Sequence, residues 1–220
     1  MYQSNTKISK TDFKILKGKD LDNWLEENYL TWSLEHKRIQ NLVSRYDSGL
    51  SDPIKEYCGY GAQNINALLR AKKKLTDSQE LLYTGLIYSI LSSPVIKERI
   101  VVYRWVPRFV VKEMLCDYRK GICSYDYGFL STSFSPDVYE KCEAIGSDYV
   151  ILRLFVEKGN YAVYVPYIAG RQEQELLFLP GCEFRYLGKQ KAIDDFRNAQ
   201  YKDFIYDFYI NSDSKIRYIQ

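Results

Sequence analysis

The sequence has almost no histidine: one residue, His36, among 220. A triad using imidazole as base, or a metal centre built on several histidines, is therefore all but excluded. Cysteine is equally uninformative as a scaffold. Five residues (Cys58, Cys116, Cys123, Cys142 and Cys182) are odd in number and show no C-x-x-C spacing. That pattern suits neither a disulfide framework nor zinc, and reads as reduced thiols in a reducing compartment. No apolar run approaches a membrane span, and MYQSNTKISKTDF lacks the apolar core of a signal peptide. Either a leader has been removed or the chain is made and used without one. Charge of one sign is also scarce, with a formal net charge of +3. Lys72-Lys73-Lys74, the densest basic run, reads as a solvated helix end and not as a phosphate-tracking stripe. Internal repeats and low-complexity linkers are absent.

Present instead are 46% hydrophobic residues and 21 tyrosines, enough for one substantial core. In the first hundred residues, Leu21, Trp24, Leu25, Leu34, Ile39, Leu42 and Val43 recur at spacings that predict one or two amphipathic helices. Asp20 or Asp22 is the expected cap, and Asp47-Ser48-Gly49 the stop. NINALLRAKK predicts a short helix, and SQELLYTGLIYSILSS a longer one with Ser78 as cap. Beyond about Lys97 the chain changes character. RIVVYRWV, YGFLSTSF, YVILRLFV, YAVYVPYI, ELLFLP, EFRYLG and the late FIYDFYI are short runs of β-branched and aromatic residues separated by Gly, Pro and Asp. The expected class is α+β: a helical N-terminal layer (1–96) packed on a mixed or antiparallel two-sheet core (97–220), together one domain.

Three polar insertions interrupt the apolar strands. Arg104 lies within VVYRWV, Ser131-Thr132-Ser133 within GFLSTSF, and Glu173 and Glu175 open ELLFLP. Each alone has an ordinary reading: a solvent-facing strand arginine, hydroxyls tying down a strand end, acids discouraging edge pairing. Taken together they suit one chemistry. A guanidinium holds a phosphate by paired, charge-assisted hydrogen bonds. A serine hydroxyl locks a carboxylate in one rotamer. A fixed carboxylate stabilises positive charge developing at a sugar C1, as in glycoside hydrolysis. Two acids two residues apart share one face of a strand, which like charges without a use would avoid.

The order VYRWV, GFLSTSF, RQEQELLFLPG resembles the arginine–serine–glutamate class of mono-ADP-ribosyltransferases, in particular the bacterial exoenzyme family that includes the enzymatic components of clostridial binary toxins. NINALLR, VILRLFVEKG and the apolar run after the second glutamate also resemble that family, over roughly residues 55–190. The resemblance implies a protein-modifying transferase that uses NAD as co-substrate and requires no metal. It implies that Arg104 holds the ribose-phosphate part of NAD. Ser131 would bond to the catalytic Glu175 and the nicotinamide-side ribose, with Thr132 and Ser133 shaping the strand. Glu175 would stabilise the oxocarbenium ion, and Glu173 would engage the acceptor, a glutamate there being the family's pattern for arginine. In the loop YVPYIAGRQ, Tyr167 is the expected aromatic against the acceptor.

Relatives often carry a further arginine and phenylalanine before the strand that follows Ser-Thr-Ser. Here CEAIGSDYV offers Ile145 and Asp148, with Arg153 or Tyr139 as substitutes at non-matching positions. KQKAIDDFRNAQ reads as an insertion. Related toxins modify actin; the resemblance implies a protein target bearing an arginine, action in the cytoplasm of a target cell, and delivery by a separate chain or secretion apparatus. It gives no support to a membrane or nucleic-acid partner. An NAD glycohydrolase, or a non-catalytic interaction module on the same fold, remains open at this level.

Overall fold

The computed structural model describes residues 8–47, 51–136, 148–171, 173–191 and 204–211. Its central strand, β1 (Ile100–Pro107), is built from IVVYRWVP and is buried on both faces along most of its length. β-branched and aromatic side chains suit such a doubly covered position. Even-numbered Ile100, Val102 and Val106 enter the main core, whereas Val101, Tyr103 and Trp105 join a smaller cluster with Phe13, Ile151 and Phe155. Strict alternation along the strand produces this division.

Seven further strands complete the sheet: β2 (Ser124–Asp126), β3 (Leu130–Ser133), β4 (Tyr149–Val156), β5 (Ala162–Tyr164), β6 (Glu175–Phe178), β7 (Cys182–Lys191) and β8 (Phe204–Asn211). Their order is β2-β7-β8-β4-β1-β3-β6-β5, with β4 and β8 parallel and the other pairs antiparallel. β1 matches β4 along its whole length, yet it meets β3 at a single register pair, Tyr103 with Ser133. One hydrogen-bonded order thus divides into two leaves at that point. Val102, Leu152 and Phe208 of one leaf share a core with Leu130, Leu176 and Phe178 of the other, so the expected two-sheet core is recovered.

The helices cover this core. α1 (Gly18–Leu25) and the π segment Glu26–Leu30, which leads into α2 (Thr31–Tyr46), place Leu21, Trp24, Leu25 and Tyr29 on the main core, whereas Leu34, Ile39, Leu42 and Val43 of α2, expected on an apolar face, are exposed. α3 (Pro53–Glu56), α4 (Ala62–Arg70) and α5 (Asp77–Ser92) pack on the outer side of the β5–β6–β3 leaf, against Phe129, Val163, Val165 and Leu177. His36 is buried and its Nε2 lies 3.1 Å from Asp52 Oδ2, while the other oxygen of Asp52 caps α3 by accepting from Ile54 N. The one histidine is therefore accounted for by helix packing.

Several local expectations require correction. α1 begins at Gly18 behind an extended Lys17 with no side-chain cap, so neither Asp20 nor Asp22 caps it. Asp20 lies in the first turn, where a carboxylate still favours the helix dipole. α5 is capped by Thr76 and not Ser78, in a capping box with Gln79. The segment after β1, to which the sequence assigned no element, is helix α6 (Arg108–Arg119), and YVPYI bends from β5 into the short helix α7 (Pro166–Ala169). Proline, with its preset φ, suits the first helical position there. The predicted stop at Asp47 holds; Ser48, Gly49 and most of KQKAIDDFRNAQ lie outside the described residues. Cys58, Cys116, Cys123 and Cys182 are free thiols, and Cys142 falls outside the described residues.

Candidate active site

Where β1 and β3 part, a cleft of about 390 Å³ opens. Gln63, Tyr103, Arg104, Trp105, Ser131, Thr132, Ser133, Ser135, Arg171, Glu173 and Glu175 line it. Six of the seven predicted site residues are thus brought together. The seventh, Tyr167, is not among the lining residues. Its ring packs edge-on against Tyr164, 4.9 Å between centroids, at the margin of the main core.

Arg104 stands on the core-facing side of β1, between Val102 and Val106, and its side chain is only 18% exposed. The solvent-facing reading of this arginine therefore fails. Its Nη1 donates to the carbonyl of Ser131 at 3.0 Å, bridging the gap between the two leaves. Its Nη2 lies 3.6 Å from Asp126 Oδ2. Asp126 in turn receives Arg70 of α4 through both carboxylate oxygens, at 2.8 and 3.0 Å. One aspartate thereby sets the positions of two guanidiniums. α4 is tied to the same turn by Asn66, whose Oδ1 accepts from Phe129 N at 2.8 Å. A Cβ on Gly128 would stand 2.8 Å from that oxygen, so only glycine fits this close approach.

Ser131 and Glu175 both face the helical side of the β3–β6 leaf. Ser131 Oγ donates to Glu175 Oε1 at 2.5 Å, a short charge-assisted bond. Glu175 is 5% exposed, and its Oε2 has no hydrogen-bond partner among the described residues. Burial, the largest influence, pushes the Glu175 carboxyl above the ordinary range; the Ser131 bond and the Arg171 and Arg104 charges pull it back. Thr132 turns the other way and donates to Leu176 O at 3.0 Å, while Ser133 Oγ accepts from Ser135 N at 3.0 Å. The three hydroxyls divide the work: one grips the acid and two hold the strand end.

Glu173 reaches the cleft by a different route from the one expected. β6 begins only at Glu175, so the two acids are not neighbours on one strand face. Gly170, at φ +68°, ends α7 in the left-handed region and turns the chain back. A tight turn follows in which Glu175 N donates to Glu173 O at 2.8 Å. Phe134 N holds the same turn by donating to Gln174 O at 3.1 Å. Glu173 is left 47% exposed at the mouth, ahead of the buried Glu175.

Of the residues named in connection with the missing arginine and phenylalanine, Asp148 pairs with Arg108, at 3.4 Å, and does not line the cleft. Arg153 does not substitute either: it is bonded through Nε and Nη2 to Asp207 at 2.9 and 2.8 Å. Ile145 and Tyr139 lie outside the described residues. The sequence missed Asp126, Arg70, Gln63 and Arg171. NINALLR held one of them, Arg70, with Gln63 just before it, but the turn that brings Asp126 to that helix carries no local signal.

Replacing Ser131 tests the grip on the acid. Ser131→Ala leaves a buried carboxylate with neither oxygen hydrogen-bonded. A hydrogen bond to a charged group is worth about 1.5–3 kcal/mol, so nicotinamide release should fall roughly 10- to 100-fold. The acid limb of its pH profile should also move to higher pH, since a bond that lowers the Glu175 value is lost. An unshifted limb would show that Ser131 does not set the ionisation of Glu175.

A family model described as ADP-ribosyltransferase exoenzyme matches residues 21–206. No curated protein matches the chain. Among solved structures, Plx2a, an ADP-ribosyltransferase toxin from Paenibacillus larvae, is 17% identical with a TM-score of 0.58, covering 82% of this chain and 96% of that one. The Clostridium limosum C3 exoenzyme is 19% identical with a TM-score of 0.60, covering 90% and 97%. BECa, an ADP-ribosylating toxin of a binary enterotoxin of C. perfringens solved with NADH, is 20% identical with a TM-score of 0.62, covering 86% of this chain and 47% of that one. At such identities the structures establish the shared fold, and the family model, spanning most of the chain, establishes the rest: this chain belongs to the ADP-ribosyltransferase exoenzyme family and is an ADP-ribosyltransferase.

Proposed function

We propose that the protein is a mono-ADP-ribosyltransferase that takes ADP-ribose from NAD, releases nicotinamide, and attaches the ADP-ribose to an arginine side chain of a target protein. One observation carries the reading. A buried Glu175, fixed by Ser131 through one oxygen, holds its second oxygen without a hydrogen-bond partner among the described residues, at a cleft whose mouth carries Glu173. An orphaned carboxylate oxygen at this depth calls for a donor such as a ribose hydroxyl, and Arg104 beside it supplies the cation a phosphate needs. The residues present therefore fit NAD.

When bound, NAD supplies a ribosyl carbon that gains positive charge as its bond to nicotinamide breaks. Glu175 is already oriented and desolvated, so it stabilises that charge without reorganising. Ser131 keeps it in place, and Arg104, braced on Ser131 O and Asp126, holds the phosphate-bearing part. A guanidinium acceptor is cationic and weakly nucleophilic; Glu173 attracts it, orients it and takes its proton. The helical layer of residues 1–96 and the core of 97–220 act as one catalytic domain, because Gln63 of the first lines the cleft and Arg70 pairs with Asp126 of the second. The reading extends to secretion or translocation into a target cell, with a protein there as acceptor. No described helix is long and apolar enough to cross a membrane.

The test is mass spectrometry of agmatine, an arginine analogue, after incubation with NAD and the protein, with free nicotinamide measured in parallel. An agmatine adduct bearing one ADP-ribose, absent with Glu175→Gln, is the expected result. Nicotinamide release without an adduct on agmatine or on any protein would replace the transferase by an NAD glycohydrolase, and neither signal would leave an interaction module. Arg104→Ala should weaken NAD binding about 10- to 100-fold in calorimetry, the worth of a charged hydrogen bond. Unchanged affinity would confine Arg104 to bracing β1 against β3.

A further inference from the structure

The acceptor side of the cleft already contains a guanidinium, and it belongs to the chain itself. Arg171 lines the cleft two residues before Glu173. Its Nη1 lies 3.7 Å from Glu173 Oε2 and 3.8 Å from Glu175 Oε2, the oxygen that accepts no hydrogen bond among the described residues. Its Nη2 donates to the carbonyl of Cys58 at the π turn that precedes α4. Two carboxylates and a carbonyl thus surround one side chain that is still 39% exposed. Neither ion pair is at hydrogen-bond distance, so one end of the Arg171 guanidinium is anchored on the Cys58 carbonyl while the other is held at the edge of the acids by charge alone. The arrangement is what an incoming arginine would need, since the acid expected to orient the acceptor and the acid expected to stabilise the ribose both face the same nitrogen.

We propose that Arg171 occupies the place of the acceptor guanidinium and is itself an acceptor, so that the enzyme ADP-ribosylates its own Arg171 when NAD is present and no foreign arginine competes. The inference rests on the arginine-transfer reading above. In the step, the bond between ribose C1 and the nicotinamide nitrogen breaks, and its electron pair leaves with neutral nicotinamide. A nitrogen of the Arg171 guanidinium forms the new bond to C1, and the proton it sheds passes to Glu173 and on to solvent. NAD and Arg171 give nicotinamide, ADP-ribosyl-Arg171 and one proton, with no oxidant or reductant required. The product fills the cleft with a covalently held nucleotide, so the reaction is self-limiting.

Two measurements test this. The first omits NAD: calorimetric titration of the free protein with agmatine. Arg171→Ala should bind agmatine about two- to fivefold more tightly than the parent, the worth of displacing an exposed ion pair. Equal or weaker binding would show that Arg171 does not hold the acceptor's place. The second is peptide mapping by mass spectrometry after incubation with NAD alone, over a tenfold dilution of the protein, about which the rate per molecule should not change if the reaction is within one chain. The expected result is one ADP-ribose on Arg171, absent in Arg171→Lys and suppressed by excess agmatine. Modified agmatine with unmodified Arg171, or adducts confined to other arginines, would overturn the proposal and leave the transferase reading intact. Nicotinamide release with no adduct on either would overturn both.

Discussion

Glu175→Gln should lower both transfer to agmatine and nicotinamide release by at least about 10²–10³, the range seen when one preorganised electrostatic group is removed from a catalytic site, while leaving the fold intact. The amide keeps an oxygen to accept from Ser131 Oγ, which now grips Glu175 at 2.5 Å. What it loses is the negative charge. The same charge costs stability, because Glu175 is 5% exposed and burial raises its ionisation above the ordinary glutamate value. A carboxyl raised on folding contributes stability that is complete below the unfolded value, about 4.3, and is lost as pH climbs through the raised value. Wherever the carboxyl is ionised, the parent carries a desolvated charge that the glutamine variant does not. The melting temperature of Glu175→Gln should equal or exceed that of the parent at pH 7–8, and the difference should shrink toward pH 4. A variant that is inactive because it has lost stability at pH 7 would leave the catalytic role unproved. Substantial residual activity in a well-folded variant would remove Glu175 from it.

That pairing of low stability with function explains why this part of the molecule was visible in the sequence. Packing alone gives little reason to bury an acid beside a serine, so Ser131 and Glu175 stood out against their apolar strands, as did Arg104 in VVYRWV. The strands were legible for the opposite reason: β1, β4 and β6 are covered on both faces along most of their length and read as β-branched and apolar runs interrupted only by Arg104, Arg153 and Glu175. Features made by long-range meetings were not legible. Asp126 is 56 residues from Arg70, and no local pattern announces that it sets two guanidiniums. α6 has an amphipathic pattern, but it follows a strand directly, with no loop to mark where one element ends and the next begins. The turn that presents Glu173 is shaped by Gly170 and by the bond from Phe134 N to Gln174 O, so strand periodicity was the wrong rule there even though both acids reach one cleft. Arg153 shows the converse case. The sequence offered it, at a non-matching position, as a substitute for the family's further arginine; in the fold its charge is spent on Asp207, which is fully buried and also bound by Lys10.

The second large effect concerns Glu173, and it separates transfer from hydrolysis. Glu173 is exposed at the cleft mouth, and the turn it occupies is held by backbone bonds, from Glu175 N to Glu173 O and from Phe134 N to Gln174 O. Glu173→Gln keeps those bonds and the side-chain shape, so the geometry of Glu175 should survive. A positioned general base is worth about 10²–10⁴ in rate, and a cationic acceptor also loses the charge that draws it in. Transfer to agmatine should therefore fall by roughly 10²–10³. Nicotinamide release to water, a neutral nucleophile needing no anionic host, should fall only severalfold. The two rates are measured in the same reaction, so a general folding defect lowers both and is recognised at once. Equal losses would mean that Glu173 acts on the NAD half of the reaction, or serves mainly to shape the turn, and the division of duties between the acids would fall. Unequal losses would fix the acceptor at the mouth of the cleft, where Arg171 now stands within 4 Å of both carboxylates, at 3.7 and 3.8 Å. Freed from one of its two acids, that arginine should also lose its own modification in the glutamine variant, in step with agmatine and not with nicotinamide.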